Sequence, residues 1–139
     1  MNNHRLQRSL VALFFILVFI GCKITLISEY DEIIDRGLSD FQRKMDFYLL
    51  SQQRTPPPSF DQSFYDGAIS DLNVLKVRAA SVPKNETTTA IISALISQVE
   101  LISSTHKGGS ASSVFFQIAQ KTIDDDCQRA LTLELAKKR

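Results

Sequence analysis

The sequence predicts an all-α protein, an antiparallel helical bundle of about four helices behind an N-terminal signal peptide. Three observations carry this. Apolar residues recur at steps of three and four through nearly all of the chain after residue 25. The recurrence is interrupted at three places, Pro56-Pro57-Pro58, Pro83 with Lys84-Asn85, and Gly108-Gly109. No block of alternating apolar and polar residues suggests a strand. Each break stops a helix for its own reason: Pro lacks the donor and restrains its predecessor, and Gly permits left-handed closure. Four helices joined by short connections must alternate in direction and bury their stripes on one another.

The first predicted helix runs from about Leu26 to Gln53, with Ile27, Tyr30, Ile34, Leu38, Phe41, Met45 and Tyr48 as its seam. Ile33, Phe47, Leu49 and Leu50 widen that seam into a bundle face. At about 40 Å it would be the longest helix, its first turns projecting as a stalk. The second runs from about Ser59, the expected N-cap, to Ser81, with Phe60, Phe64, Ala68, Leu72, Leu75 and Ala79 inward. The third runs from Asn85, again a cap, to about Thr105, along Ile91, Leu95, Val99 and Ile102 with Ile92 and Ile96 beside them. The fourth runs from about Ser112 to Lys138, along Phe115 or Phe116, Ala119, Ile123, Cys127, Ala130, and Leu133 or Leu135.

Ahead of the helices stands an address. Arg5 and Arg8 precede the uninterrupted apolar run Leu10–Ile20, and Gly21-Cys22 follow. This is the order of a secretory signal: positive region, short apolar region, small residue at the cut. Eleven helical residues cover about 16 Å, against about 30 Å of hydrocarbon core. A permanent span would have to continue through Lys23 to Ile27, and plain secretion is the third alternative. Phe19-Ile20-Gly21-Cys22 resembles the bacterial lipobox, with Phe19 where Leu is usual. The resemblance implies cleavage before Cys22, so that residues 1–21 are a lipoprotein signal peptide and residues 22–139 a single helical-bundle domain. It also implies acylation of Cys22, and the several chains of such an anchor hold a protein stably where one chain does not. Lys23 after the cysteine, in place of Asp, points by analogy with Gram-negative sorting to the outer membrane, with the domain in the periplasm or at the surface.

The chain of 139 residues carries 16 basic and 15 acidic side chains. So even a balance gives no reason to expect nucleic-acid binding. Two Cys and two His are too few for a self-contained four-ligand metal site. We expect no metal, no cofactor and no catalytic residue. His106, the one His left after cleavage, is expected at a helix end or on the surface. Asp124-Asp125-Asp126 lacks the spacing and glycine of a calcium loop, because successive helical residues point about 100° apart, and is expected to be a solvated face. Asp31, Glu32 and Asp35 are expected on the solvated stalk. Gly108-Gly109-Ser110 lacks the Lys-Ser/Thr of a phosphate loop. Cys127, four after Ile123 and three before Ala130, is expected as a buried small apolar residue. The Tyr and Phe side chains are expected in the core.

Beyond the lipobox, Tyr30-Asp31-Glu32-Ile33-Ile34-Asp35-Arg36-Gly37, Phe41-Gln42-Arg43-Lys44-Met45, Leu72-Asn73-Val74-Leu75-Lys76-Val77-Arg78-Ala79 and the closing Leu133-Glu134-Leu135-Ala136-Lys137-Lys138-Arg139 resemble small, mostly uncharacterised bacterial lipoproteins. That resemblance implies an envelope-anchored, non-enzymatic domain with a structural or protein-interaction role. Membrane lipid, through acylated Cys22, is the expected partner, with an envelope protein as a second candidate. Two further function classes stay open. One is a binding module for a small apolar ligand or peptide, using a cavity among Phe41, Phe64, Leu95 and Phe116. The other is a surface exclusion or inhibitor factor.

Overall fold

The computed structural model describes residues 28–138. Four helices follow one another: α1 (Glu32–Gln52), α2 (Gln62–Ser81), α3 (Glu86–Lys107) and α4 (Ser113–Ala136). The N-terminal address, Cys22 and the seam residue Ile27 lie outside the described residues.

Three of the four helices begin where a side-chain oxygen takes up unpaired backbone N–H groups. Asp31 is extended and accepts from the Ile33 and Ile34 N–H groups at 2.9 and 3.3 Å. The helix therefore starts at Glu32. Its 21 residues match the 20, 22 and 24 of the others, and the expected helical stalk is corrected over the described residues 28–31, which are not helical. Asp61, not Ser59, caps α2, accepting from the Phe64 N–H at 3.1 Å. Ser112 caps α4 through the Phe115 N–H at 3.2 Å. Asn85 occupies the N-cap position of α3, but its side chain makes no capping bond. At the far end of α3, Gly109 adopts φ +70° and the Ser110 N–H reaches the Thr105 carbonyl, the closure that a left-handed glycine permits.

The inward residues form narrow seams. They are Ile34, Leu38, Phe41, Met45, Leu49 and Gln52 on α1, and Tyr65, Ala68, Leu72, Leu75 and Ala79 on α2. On α3 they are Thr88, Ile92, Leu95, Val99 and Ile102. On α4 the line runs through Phe116, Ala119, Ile123, Cys127, Ala130 and Glu134. Steps of three and four throughout are the knobs-into-holes pattern of a bundle. The apolar members form one core. The wide face expected for α1 is corrected: Ile33, Phe47 and Leu50 are exposed, and only Leu49 joins the seam.

Cross-helix bonds give the arrangement. Arg78 Nε donates to Asp31 Oδ2 at 2.7 Å, joining the end of α2 to the start of α1. Thr88 Oγ1 donates to Glu134 Oε1 at 2.9 Å, joining the start of α3 to the end of α4. At the opposite end Gln53 Nε2 donates to Gln120 Oε1 at 2.8 Å, and the Tyr65 hydroxyl lies 3.0 Å from His106 Nδ1. Neighbours are thus antiparallel, in the order α1, α2, α3, α4 around the bundle, with α1 and α4 closing the ring. Described residues first meet the bundle at the end holding Ser28, Asp31 and Asn85, because Ser28 Oγ donates to Asn85 Oδ1 at 3.1 Å.

Candidate functional site

Three places bring chemistry-bearing side chains together. The first is the end of the bundle where Ser28 docks. The seams of α3 and α4 continue by one step onto polar residues, Thr88 and Glu134, which lie level with each other. Lys137, one turn beyond Glu134, turns back into this layer. Its ammonium donates to Glu134 Oε1, to Thr88 Oγ1 at 3.1 Å and to Asn85 Oδ1 at 2.6 Å. The Lys137 and Glu134 side chains are 3% and 0% exposed. Glu134 Oε2 has no hydrogen-bond partner. Asn85 Nδ2 donates to the Ala79 carbonyl, so this side chain ties the end of α2, α4 and residue 28 together, which is why it is not free to cap α3. The expected inward place of Leu133 or Leu135 is corrected: Leu135 is exposed and Glu134 takes the position. The signal was in the sequence, since Ala130 to Glu134 is another step of four, but polarity argued against following it.

The second place is the opposite end. His106 is half-buried, packed edge-on against Phe60 and Phe116 with ring centroids 5.3 and 5.0 Å away. Burial pushes the Tyr65 phenol up, so it keeps its proton, and its oxygen pairs with His106 Nδ1 at 3.0 Å. Burial also lowers the His106 pKa below its ordinary value. The histidine is indeed at a helix end, but inside an aromatic cluster, and its partner is Tyr65, not one of the nearby serines.

The acidic runs separate into individual structural roles. Asp126 is buried, bonded to Gln98 and to Arg129, and is corrected from the solvated face expected for it. Asp124 is half-buried and accepts from Gln42 Nε2 at 2.8 Å. Only Asp125 is exposed, paired with Lys121 at 2.6 Å. The cause is the position of α4 between α1 and α3. Residues on either side of the Ile123–Cys127 line face those neighbours, not water. Asp46 of α1 is held above the ordinary carboxylate value, by burial first and then by the Asp124 charge beside it. Burial, with help from Asp124, Asp126 and Asp46, pushes the Cys127 thiol up to about 12. Asp31 keeps its charge. Burial opposes it, but the Arg78 guanidinium and two backbone N–H groups outweigh that and hold the carboxyl below its usual range.

The third place is a lateral groove between α1 and α2, of about 930 Å³. Gly37 and Leu75 close one end. Phe47, Phe64 and Val74 line the walls, with Phe47 77% and Val74 66% exposed. Tyr48 stacks on Phe64, centroids 3.6 Å apart, and stiffens the floor. Charges rim it in pairs: Lys44 with Asp71 at 3.0 Å across the groove, and Arg43 with Asp40 at 2.9 Å along α1. The cavity expected among Phe41, Phe64, Leu95 and Phe116 is displaced outward. Phe41 and Phe64 line the groove, while Leu95 and Phe116 are closed in the core.

The fold and this groove define a four-helix bundle with an apolar lateral surface. No family model, no curated protein and no solved structure matches the chain. Among the described residues no helix is long and apolar enough to cross a membrane.

Proposed function

We propose that the chain is a bacterial envelope lipoprotein, anchored through acylated Cys22, whose bundle acts by protein interaction at the α1–α2 groove. The observation that carries the interaction role is the exposed Phe47 beside an open apolar groove. Exposed apolar side chains contiguous with a concave apolar surface, as Phe47 and Val74 are here, favour a binding site where singly scattered ones do not. The anchor is supported by Leu10–Ile20 followed by Gly21-Cys22. The six peptide links from Cys22 to Ser28 reach at most about 20 Å, so an acylated chain would keep its bundle close to the lipid. Lys23 favours the outer membrane. A non-enzymatic role is supported by His106, which pairs with Tyr65 in a packed cluster, and by Cys127, whose thiol is buried and protonated. The apolar lining of the groove also supports the second reading, a binding module for a small apolar ligand or peptide.

Intact mass and membrane partitioning of the native protein, beside Cys22→Ser, test the anchor. A mature N-terminus at Cys22 with added lipid mass, absent in the variant, is the expected result. An uncleaved chain that stays with the membrane in both forms would overturn it.

A further inference from the structure

We propose that residues 28–30 form a releasable strap that sets how far the anchored bundle reaches from the membrane, about 20 Å while the strap is fastened and about 30 Å once it lets go. The reach rests on the anchor reading of Cys22; the strap rests on described side chains alone.

The segment ahead of α1 is held in two unlike ways. Asp31 is fixed firmly. It caps α1 through the Ile33 and Ile34 N–H groups, and it accepts from Arg78 Nε of α2 at 2.7 Å. Losing it would leave two helix donors and a guanidinium without their acceptor. Residues 28–30 are held by side chains: among the described residues no backbone hydrogen bond ties them to the bundle. Ser28 is 5% exposed, and its hydroxyl donates to Asn85 Oδ1 at 3.1 Å. Lys138 Nζ stands 4.4 Å from the centre of the Tyr30 ring. The Tyr30 hydroxyl donates to Asp35 Oδ2 at 2.6 Å, a contact with α1 itself.

The acceptor used by Ser28 makes release mild. Asn85 Oδ1 also accepts from Lys137 Nζ at 2.6 Å, and Asn85 Nδ2 donates to the Ala79 carbonyl at 3.2 Å. When Ser28 leaves, both ends of the Asn85 amide keep a partner, so no buried polar group is orphaned. Lys138 is exposed and Tyr30 half-buried, so water takes over their contacts. None of residues 28–30 belongs to the apolar core. The strap therefore opens without disturbing the four helices, and Asp31 stops it from opening further. The last turn of the chain serves both fastenings: Lys138 directly, and Lys137 by holding the Asn85 amide toward Ser28. Six peptide links separate Cys22 from Ser28, and nine separate it from Asp31. Release lengthens the tether by about half. A partner of the groove that stands beyond the shorter reach draws the bundle into the longer one.

The test uses the acylated full chain in lipid nanodiscs. NMR order parameters read the strap. Energy transfer to labelled lipid, from a dye on Lys107→Cys at the far end of the bundle, reads the height. In the parent, residues 28–30 should be as ordered as α1, with order parameters of about 0.85. In Ser28→Ala with Lys138→Ala they should fall below about 0.6, while Ile33 and Ile34 stay ordered and the urea midpoint stays that of the parent. The dye should stand farther from the lipid in that variant, by up to about 10 Å. A parent already mobile at residues 28–30, a variant still ordered there, or a variant whose urea midpoint drops with its strap overturns the inference. Release without any rise of the dye overturns the reach. A chain without lipid at Cys22 overturns the anchor reading and the reach together, and an ordered strap in that same sample shows that the failure lies in the anchor.

Discussion

Thr88 donates its hydroxyl hydrogen to Glu134 at 2.9 Å, both side chains closed off from solvent, at the level where the apolar seams of α3 and α4 run out. Lys137 completes this layer and neutralises the carboxylate. A buried ion pair adds little over an apolar pair of the same shape, but breaking one strands a charge. Lys137→Met is therefore expected to cost about 3–5 kcal/mol in urea unfolding. The double change Lys137→Met with Glu134→Leu should recover most of that loss. Equal destabilisation in the single and double variants would show that the pair is not what holds this end together.

Gly37 and Leu75 set the closest approach of α1 to α2. A Cβ added at Gly37 would lie 2.5 Å from Leu75 Cδ2 and within 3.2 Å of Cγ, so the whole buried side chain would have to move. Alanine gains about 1 kcal/mol of helix propensity, and overpacking costs about 1–3 kcal/mol. Gly37→Ala should thus be destabilising by about 1 kcal/mol net. In a Leu75→Ala background the clash is gone, and the same change should become stabilising. Thermal unfolding of the four-member cycle reads the sign reversal.

His106 and Asp46 give the stability opposite slopes with pH. The folded-state pKa of His106 is lowered below 6.5, so above that pH both states are neutral and the aromatic cluster contributes fully. As pH falls below 6.5 the unfolded chain takes the proton first, and stability declines until the folded pKa is passed. His106→Gln, which keeps an acceptor for Tyr65, should flatten this decline in urea midpoints between pH 7.5 and 5.

Asp46 behaves in the reverse sense. Its folded pKa is raised above 3.8, so its contribution is present below 3.8 and is lost as pH rises through the folded value. Asp46→Asn should match the parent near pH 3 and exceed it at pH 7 by a few tenths to about 1 kcal/mol. Loss of stability in Asp46→Asn at pH 7 would mean that its bond from Gln120, 3.1 Å long, outweighs the repulsion from Asp124.

Cys127 is 0% exposed and its thiol is pushed up to about 12. Thiolate is the reactive form, so native protein should resist alkylation at pH 8 while urea-unfolded protein reacts at once. Labelling in native buffer should follow the unfolding rate. Fast labelling of the native state would contradict the packing of Cys127 against Ile123 and Ala130.

Four helices, and their boundaries to within a few residues except for the start of α1, were legible in the sequence, because Pro56-Pro57-Pro58, Pro83 and Gly108-Gly109 act locally on the backbone. The central seam residues were legible too, since a step of three or four places side chains on one side of any helix. Ile123, Cys127 and Ala130 needed nothing more. The tertiary structure decided what periodicity does not contain: how wide each seam is, and which helix lies across from which side. Phe47 and Leu49 look alike in a hydropathy pattern, yet only the neighbouring helix determines that Leu49 is covered and Phe47 is not. Asp124 and Asp126 look like a water-facing run, yet α1 and α3 stand on either side of them. Lys137 and Glu134 belong to one stretch of chain and Thr88 and Asn85 to another, and a long side chain reaching across a helix interface leaves no local trace. Spacing along a helix reports direction about one axis; burial depends on what occupies the space in that direction, and only the packed bundle supplies it.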